Sequence, residues 1–351
     1  MKALLFPLLL TTTLALSPRP KPPSDKCPPF SGDFIINYFQ LYPENADWDP
    51  ARCLLWIGCV WNATVATYSP YTHKTTVYEF PGTSHTGSVH IGGVAWDPYS
   101  PNLVTILTDS ARPWDTAGAD VSGEHKLIKW DAVRGKAVWE VDLTRTTGEK
   151  YGGFQDVETD RRGNTYVVGT WPGTVLRVDK TGKKVKEWYV PKPLPPTTER
   201  GIGGLAVVKG TEVLLASGPD GGLLRFDMTK ELGRPVEIKI KNGRKYPLTD
   251  AAYLPDRYGG KVILVALGPD GIMVVKSDDG WKGAEYLGTV ANRPVSGLEG
   301  GFVTAATQVG DAIYIVNGYW DIPWVPGTVA GNRTLFPWLD ITADVDRLVW
   351  G

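Results

Sequence analysis

Short polar segments alternate along this chain with short apolar runs, and the alternation repeats. The aligned points are Asn45-Ala46-Asp47-Trp48-Asp49, Gly93-Val94-Ala95-Trp96-Asp97, Asp156-Val157-Glu158-Thr159-Asp160, Gly204-Leu205-Ala206-Val207, Asp250-Ala251-Ala252-Tyr253 and Gly301-Phe302-Val303-Thr304. Measured at Ala46, Val94, Val157, Leu205, Ala251 and Val303, the spacings are 48, 63, 48, 46 and 52 residues. A β-rich run and a Gly-rich turn follow each point. A unit of about 40–50 residues built of short strands is the sequence mark of a β-propeller. The pattern predicts an all-β, six-bladed propeller spanning residues 33–351.

The third unit shows the four-strand pattern. Its inner strand begins in 153–160, and residues 164–170, 174–179 and 185–190 read as three further strands. Arg162-Gly163-Asn164 and Lys180-Thr181-Gly182 are the turns. Residues 205–240 and 251–290 fit the same scheme. Residues 94–143 carry a long insert between the second and third strands. Closing the ring requires a strand from the other end of the chain, because an open sheet edge is exposed to wrong pairing. Residues 33–41 are expected to be the outer strand of the last blade, with residues 341–350 completing it.

A formal net charge of −1 gives no footprint for nucleic acid or an anionic membrane. Residues 1–17 place one Lys before an apolar run ending in small residues, a signal-peptide pattern too short for a membrane span. Residues 18–32 read as a Pro-rich arm. The expected localisation is the secretory pathway or the medium, with no membrane span in the mature chain. Asn62 and Asn332 lie in glycosylation sequons. The cysteines are Cys27, Cys53 and Cys59. Cys53 and Cys59 lie too far apart along one apparent strand to bridge directly. Either Cys27 bridges to one of them and leaves the other buried and free, or all three are buried thiols.

In a propeller the loops leading into the inner strands and the loops joining second to third strands converge on one face. These loops carry Trp61, Trp114, Trp171, Tyr319, Trp320 and Trp324 as aromatic surface, and His85, His90, Asp109, Arg112, Asp115, Glu199, Arg200 and Glu299 as ionisable groups. Apolar walls with a few convergent polar groups make a small-molecule pocket. The expected partner is therefore an apolar or aromatic small molecule. His90 and Asp115 are candidate acids, and Arg200, with Glu199, is a candidate ligand clamp. Asn45, Trp61, Trp114, Gln155, Trp171, Tyr319 and Trp320 complete the expected substrate-binding set. Glu44, Asn45, Asp156 and Asp250 lie just before inner strands and form the only candidate set for a hard cation such as Ca²⁺. Three of the six positions hold Gly or apolar residues, so no resident metal or other cofactor is the expectation, with Ca²⁺ as the exception to test.

The string from Gln40 to Asp49, the phrase Tyr151-Gly152-Gly153-Phe154-Gln155-Asp156-Val157-Glu158 and the Gly163-Asn164-Thr165 turn resemble a fungal group of secreted-type six-bladed propellers. That group includes the propeller proteins of trichothecene gene clusters. The chain is also similar to the hetero-Diels–Alderases of tropolonic sesquiterpenoid pathways, and more widely to gluconolactonase-like propellers, whose metal-ligand pattern it keeps only in part. The resemblance implies a cyclase that joins a quinone-methide-type heterodiene to a terpenoid alkene. His90 or Asp115 would then be the acid, and Arg200, Gln155 or Asn45 would orient the oxygen. A Ca²⁺-dependent lactone hydrolase and a non-catalytic binding propeller are the alternatives.

Overall fold

The computed structural model describes residues 27–321 and 323–351. The expected signal peptide, 1–17, and the arm as far as residue 26 lie outside the described residues. No described helix is long and apolar enough to cross a membrane. The chain folds as an all-β propeller.

Strand β1 (Phe34–Asn37) comes first. Successive antiparallel meanders then follow: β2 (Pro43–Asp49), β3 (Leu54–Cys59), β4 (Thr64–Ser69) and β5 (Lys74–Tyr78); β6 (Val89–Trp96), β7 (Leu103–Ser110), β8 (Lys126–Asp131) and β9 (Lys136–Asp142); β10 (Gly152–Thr159), β11 (Thr165–Trp171), β12 (Thr174–Val178) and β13 (Val185–Tyr189). Next come β14 (Leu205–Val208), β15 (Val213–Ser217), β16 (Leu223–Asp227), β17 (Val236–Lys241), β18 (Ala252–Tyr253), β19 (Val262–Ala266), β20 (Ile272–Lys276) and β21 (Gly283–Val290). These eight form one sheet, because the outer strands β17 and β21 pair in parallel from Lys239 opposite Gly283 to Lys241 opposite Glu285. Strands β22 (Phe302–Val309), β23 (Ala312–Gly318) and β24 (Leu335–Asp340) form the last sheet, and β1 adds to its outer edge in the order β1-β24-β23-β22.

The expected closure by the amino-terminal strand is present, with Phe34 opposite Trp338 and Ile36 opposite Phe336. The expectation that residues 341–350 add a strand is corrected: Thr342–Trp350 is an α-helix. Apolar residues four apart, Val345 and Val349, turn inward on it. They pack in the cluster with Val262, Val274 and Ile315.

The core is radial. One apolar layer joins the β2–β5 sheet to the last sheet through Leu55, Ile57, Tyr314 and Trp338. Others lie between successive meanders, as where Tyr166 and Val168 meet Leu214 and Phe226. Few backbone hydrogen bonds cross between inner strands, so side-chain carboxylates supply some. Trp96 N–H donates to Asp47 Oδ2 at 2.8 Å and Leu205 N–H to Asp156 Oδ2 at 2.8 Å, each from the following inner strand.

A β-bulge recurs at the start of the inner strands. The ladder shifts register between Pro43 and Asn45, between Ile91 and Val94, between Phe154 and Asp156, and between Val303 and Ala305. Gly203 and Gly204 both oppose Ser217, and Asp250 and Ala251 both oppose Ala266. A bulge inserts one residue and re-aims its side chain out of the alternation. It therefore decides which residue of each strand leaves the blade.

Cys27 and Cys53 are disulfide-bonded, and Cys59 is a buried free thiol. Cys53 precedes β3 at φ +57° rather than lying on it, which brings it to the arm. Of the two sequons, Asn62 is 9% exposed and its Nδ2 donates to the Gln40 carbonyl at 3.1 Å, whereas Asn332 is exposed. Glycopeptide mass spectrometry of the protein expressed through a eukaryotic secretory route should therefore find a glycan on Asn332 and none on Asn62. Occupancy at Asn62 would show that this loop is open when the transferase acts.

Candidate active site

The bulged residues Glu44, Gly92 and Gln155, together with Asp250, reach one cavity of about 340 Å³. Its lining also takes Val60 and Trp61 from the turn after β3, Trp114 and Asp115 from the insert after β7, Arg200 and Leu248 from the loops before β14 and β18, and Trp320 from the loop after β23. His90, Asp109, Phe154 and Phe302 come from the ends of the strands themselves. Both loop sets thus meet at the same mouth, as the repeat order predicted.

The walls are aromatic. Trp61 meets His90 edge to face at 5.3 Å between centroids and Trp320 at 5.5 Å, and its Nε1 donates to the Tyr319 carbonyl at 3.0 Å. Trp114 is fixed from the opposite side by Asp109. Its Nε1 donates to Asp109 Oδ2 at 2.6 Å, while the other oxygen of Asp109 binds the buried His125 through a short contact at Nδ1. Burial works against the charged His125, but Asp109 outweighs it and raises the imidazole above its usual value. Asp109 is therefore a brace for the insert. Arg112, from the same insert, turns outward to Ser122 and Asp120.

The charged centre is Arg200. Its guanidinium lies 5.9 Å from the Trp114 ring centroid and 5.8 Å from that of Trp171, so it rests against the edge-to-face pair that these two rings form. Nη2 donates to the Thr249 carbonyl at 3.0 Å and sits 3.9 Å from Asp250 Oδ1. Nε is buried with no protein partner. Facing it, Glu44 has a buried oxygen, Oε2, that is likewise unpartnered. A Cβ at Gly92 would stand 2.5 Å from that oxygen, so only glycine leaves the carboxyl its place.

Burial, then the charges of Asp250 and Asp156, raise Glu44 well above the usual carboxyl range; Arg200 opposes them. Burial pushes Asp156 up to about 7 against the N–H groups of Leu205 and Val157, and Asp250 up to about 6 against Arg200. Burial lowers His90, with Asp109 and Asp115 working the other way. A neutral imidazole follows at neutral pH.

The other sequence candidates fall around this centre. Asn45 lies behind it, with Nδ2 on Asp156 Oδ1 at 3.3 Å and Oδ1 accepting Ala46 N–H. Trp171 backs Arg200 without lining the cavity. Tyr319 packs under Arg333, with the guanidinium carbon 4.0 Å from the ring centroid. Glu199 is exposed and outside the cavity, as is His85, which pairs with Glu79. Among the described residues, no three His, Cys, Asp or Glu side chains come together as metal ligands. Sequence reading missed Val60, Phe154, Leu248 and Phe302 as walls and His125 as the partner of Asp109. The alternating Phe154 and Phe302 gave no sign of a bulge beside them.

Residues 25–291 match the family described as Mal s 1 allergenic protein-like. The chain is 34% identical over 340 residues to trichothecene biosynthesis protein 14 of Trichoderma arundinaceum, covering 92% of each chain. It is 32% identical over 343 residues to core trichothecene cluster protein 14 of Fusarium sporotrichioides, covering 92% of this chain and 88% of that one. The crystal structure of the major allergen Mala s 1 of Malassezia sympodialis superposes with a TM-score of 0.73 at 20% identity, over 89% of this chain and 96% of the other. That last likeness speaks for the fold alone.

Proposed function

From the premise that this chain belongs to the Mal s 1 allergenic protein-like family, we propose that it is a cofactor-free cyclase of fungal secondary metabolism. The specific reading is a hetero-Diels–Alderase that joins a quinone-methide-type heterodiene to a terpenoid alkene, working in the secretory route. The eight-stranded sheet then counts as two blades bridged at their outer edges, and the ring as six. The printed names of the two relatives at 34% and 32% identity support a place in secondary-metabolite biosynthesis.

The observation that carries the reaction class is the guanidinium of Arg200, set against the Trp114–Trp171 pair at the wall of an aromatic-lined cavity. Such a site holds two apolar reactants in a near-attack arrangement, which replaces a bimolecular encounter by a positioned one. It also aims a fixed donor at the oxygen on which negative charge builds as the heterodiene reacts. No group on the enzyme need change oxidation state.

Two facts weigh against a Ca²⁺-dependent hydrolase. The oxygens of Asn45 and Asp156 are already engaged by backbone N–H groups. A permanent cation, Arg200, already faces Asp250 at 3.9 Å, where a second positive charge would be repelled.

The test is to delete the gene in its host, profile the metabolites, and supply the purified protein with a synthetic o-quinone methide precursor and an alkene, with and without chelator. Accumulation of an uncyclised shunt product and chelator-insensitive formation of a single adduct are expected. Hydrolysis of lactones that stops with chelator would replace this reading by the hydrolase. Trp114→Ala should raise KM about tenfold through loss of one aromatic wall and of the stack on Arg200. An unchanged KM would place the substrate elsewhere.

A further inference from the structure

The cavity contains four carboxyl side chains, and three have an assignment. Asp109 holds Trp114 and His125. Asp250 faces Arg200. Asp115 sits at the exposed rim. Glu44 is the remaining one, and three independent features prepare it for a ligand. It is the extra residue of the β2 bulge, so its side chain leaves the blade for the cavity. The missing Cβ of Gly92 leaves its carboxyl a fitted place. Its Oε2 is shielded from solvent and has no protein partner, although a buried polar atom left unpaired costs about 1–3 kcal/mol. With Oε2 held against Gly92, Oε1 is the oxygen left to a molecule that enters the cavity.

Resting on the cyclase reading, we propose that Glu44 carries a proton and donates its O–H to a carbonyl oxygen of the bound ligand, which is therefore an uncharged apolar ketone or quinone-methide rather than a carboxylate. Charge complementarity favours the same class. Asp156 from β10 and Asp250 from the turn before β18 press on Glu44 with like charge, and Arg200 beside it opposes them. His90 from β6 and Asp115 from the insert share the cavity. An anionic ligand would meet this acidic floor, whereas a neutral carbonyl meets two donors, Glu44 and the Arg200 guanidinium. Hydrogen bonding of a neutral carboxyl to a developing oxyanion lowers the barrier without any proton changing owner.

The experiment uses prodan, a naphthalene ketone whose emission reports hydrogen bonding at its carbonyl, and the corresponding naphthoate. Wild type should bind prodan saturably, with hydrogen-bonded emission, and bind the naphthoate far more weakly. Affinity for prodan should fall about tenfold as pH rises from about 6 to about 9, since Glu44 then loses its donor and gains a charge. Glu44→Gln retains an N–H donor with no proton to lose, so its binding should stay within about threefold over that range. Glu44→Ala should be weak throughout.

Infrared difference spectra of the ligand-free protein give a second readout. A protonated-carboxyl band present in wild type at neutral pH should be missing in Glu44→Gln. Wild-type affinity in Glu44→Ala, an unchanged pH slope in Glu44→Gln (which would move the titration to Asp156 or Asp250), no saturable prodan binding, or no missing band would each overturn the proposal. If these results hold but no adduct forms from heterodiene and alkene, the cyclase reading falls while the assignment of Glu44 stands.

Discussion

Removal of residues 27–37 should abolish cooperative thermal unfolding of this protein. The segment contributes β1, which covers the outer edge of β24. It also contributes Ile36, fully buried, and Phe34, which stacks between Tyr68 at 5.6 Å and Trp338 at 5.4 Å. Phe30 extends the same aromatic cluster to Tyr71 and Tyr314, and Cys27 ties the arm to Cys53. The buried Ile36 and the half-buried Phe30 and Phe34 are worth about 1.5–3 kcal/mol each and the crosslink about 3 kcal/mol. Their combined loss, on the order of 8–10 kcal/mol, is comparable to the whole stability of a typical domain, about 5–15 kcal/mol. Calorimetry and near-ultraviolet circular dichroism would read the effect. A truncated chain that melts cooperatively within a few degrees of the intact one would show that the ring does not depend on β1. The single change Phe34→Ala should still lower Tm, by about 5 °C, given a cost of about 1.5–3 kcal/mol for removing a half-buried aromatic ring that stacks on two others.

The protein should melt higher at about pH 5 than at about pH 8, by on the order of 5 °C. Several carboxyls lie along the inner strands. Burial pushes Asp47 up to about 7 against the N–H groups of Trp96 and Trp48. Burial lifts Asp156 to about 7 and Asp250 to about 6, and raises Glu158 and Glu44 further. The folded state keeps these protons at pH values where the unfolded chain, with ordinary carboxyls near 4, has released them. Their contribution is therefore complete below about pH 4 and is lost as pH rises through 6 and 7. The opposite limb comes from acids that the fold holds low. Asp321 is hydrogen-bonded to the Arg333 guanidinium and Asp346 to that of Arg257, and their contribution disappears as pH falls below the usual carboxyl range. Mildly acidic solution satisfies both sets. Asp47→Asn keeps an oxygen for the neighbouring N–H groups and should flatten the decline between about pH 5 and 8. A Tm that is level or rising across that interval would mean that water reaches these carboxyls.

The repeat, the insert after β7 and the strand that closes the ring were legible because each rests on alternation or on the need to cover an edge. The site was legible only as a set of loops. Its chemistry depends on bulges, and a bulge at Glu44 or Gln155 leaves no trace in a pattern of alternate residues, since it breaks the alternation by one position in a segment already rich in polar groups. The pairing of Asp109 with His125 was hidden for a similar reason. The two are 16 residues apart in the chain, and only the return of the insert onto β7 brings them together. Residues 341–350 carry apolar positions compatible with both periods, and packing on β20, β21 and β23 decides for the helix.

The way the ring closes also governs when it can form. Phe34 leaves the ribosome long before its partner Trp338. Roughly 300 residues separate them, so at about 5–20 residues per second the opening strand waits on the order of 15–60 s for its mate. During synthesis the nascent chain therefore carries an apolar strand with nothing to pair with. A host that makes this protein must shelter that strand until the final blade emerges, and overproduction should fail first by aggregation of chains stalled short of residue 335.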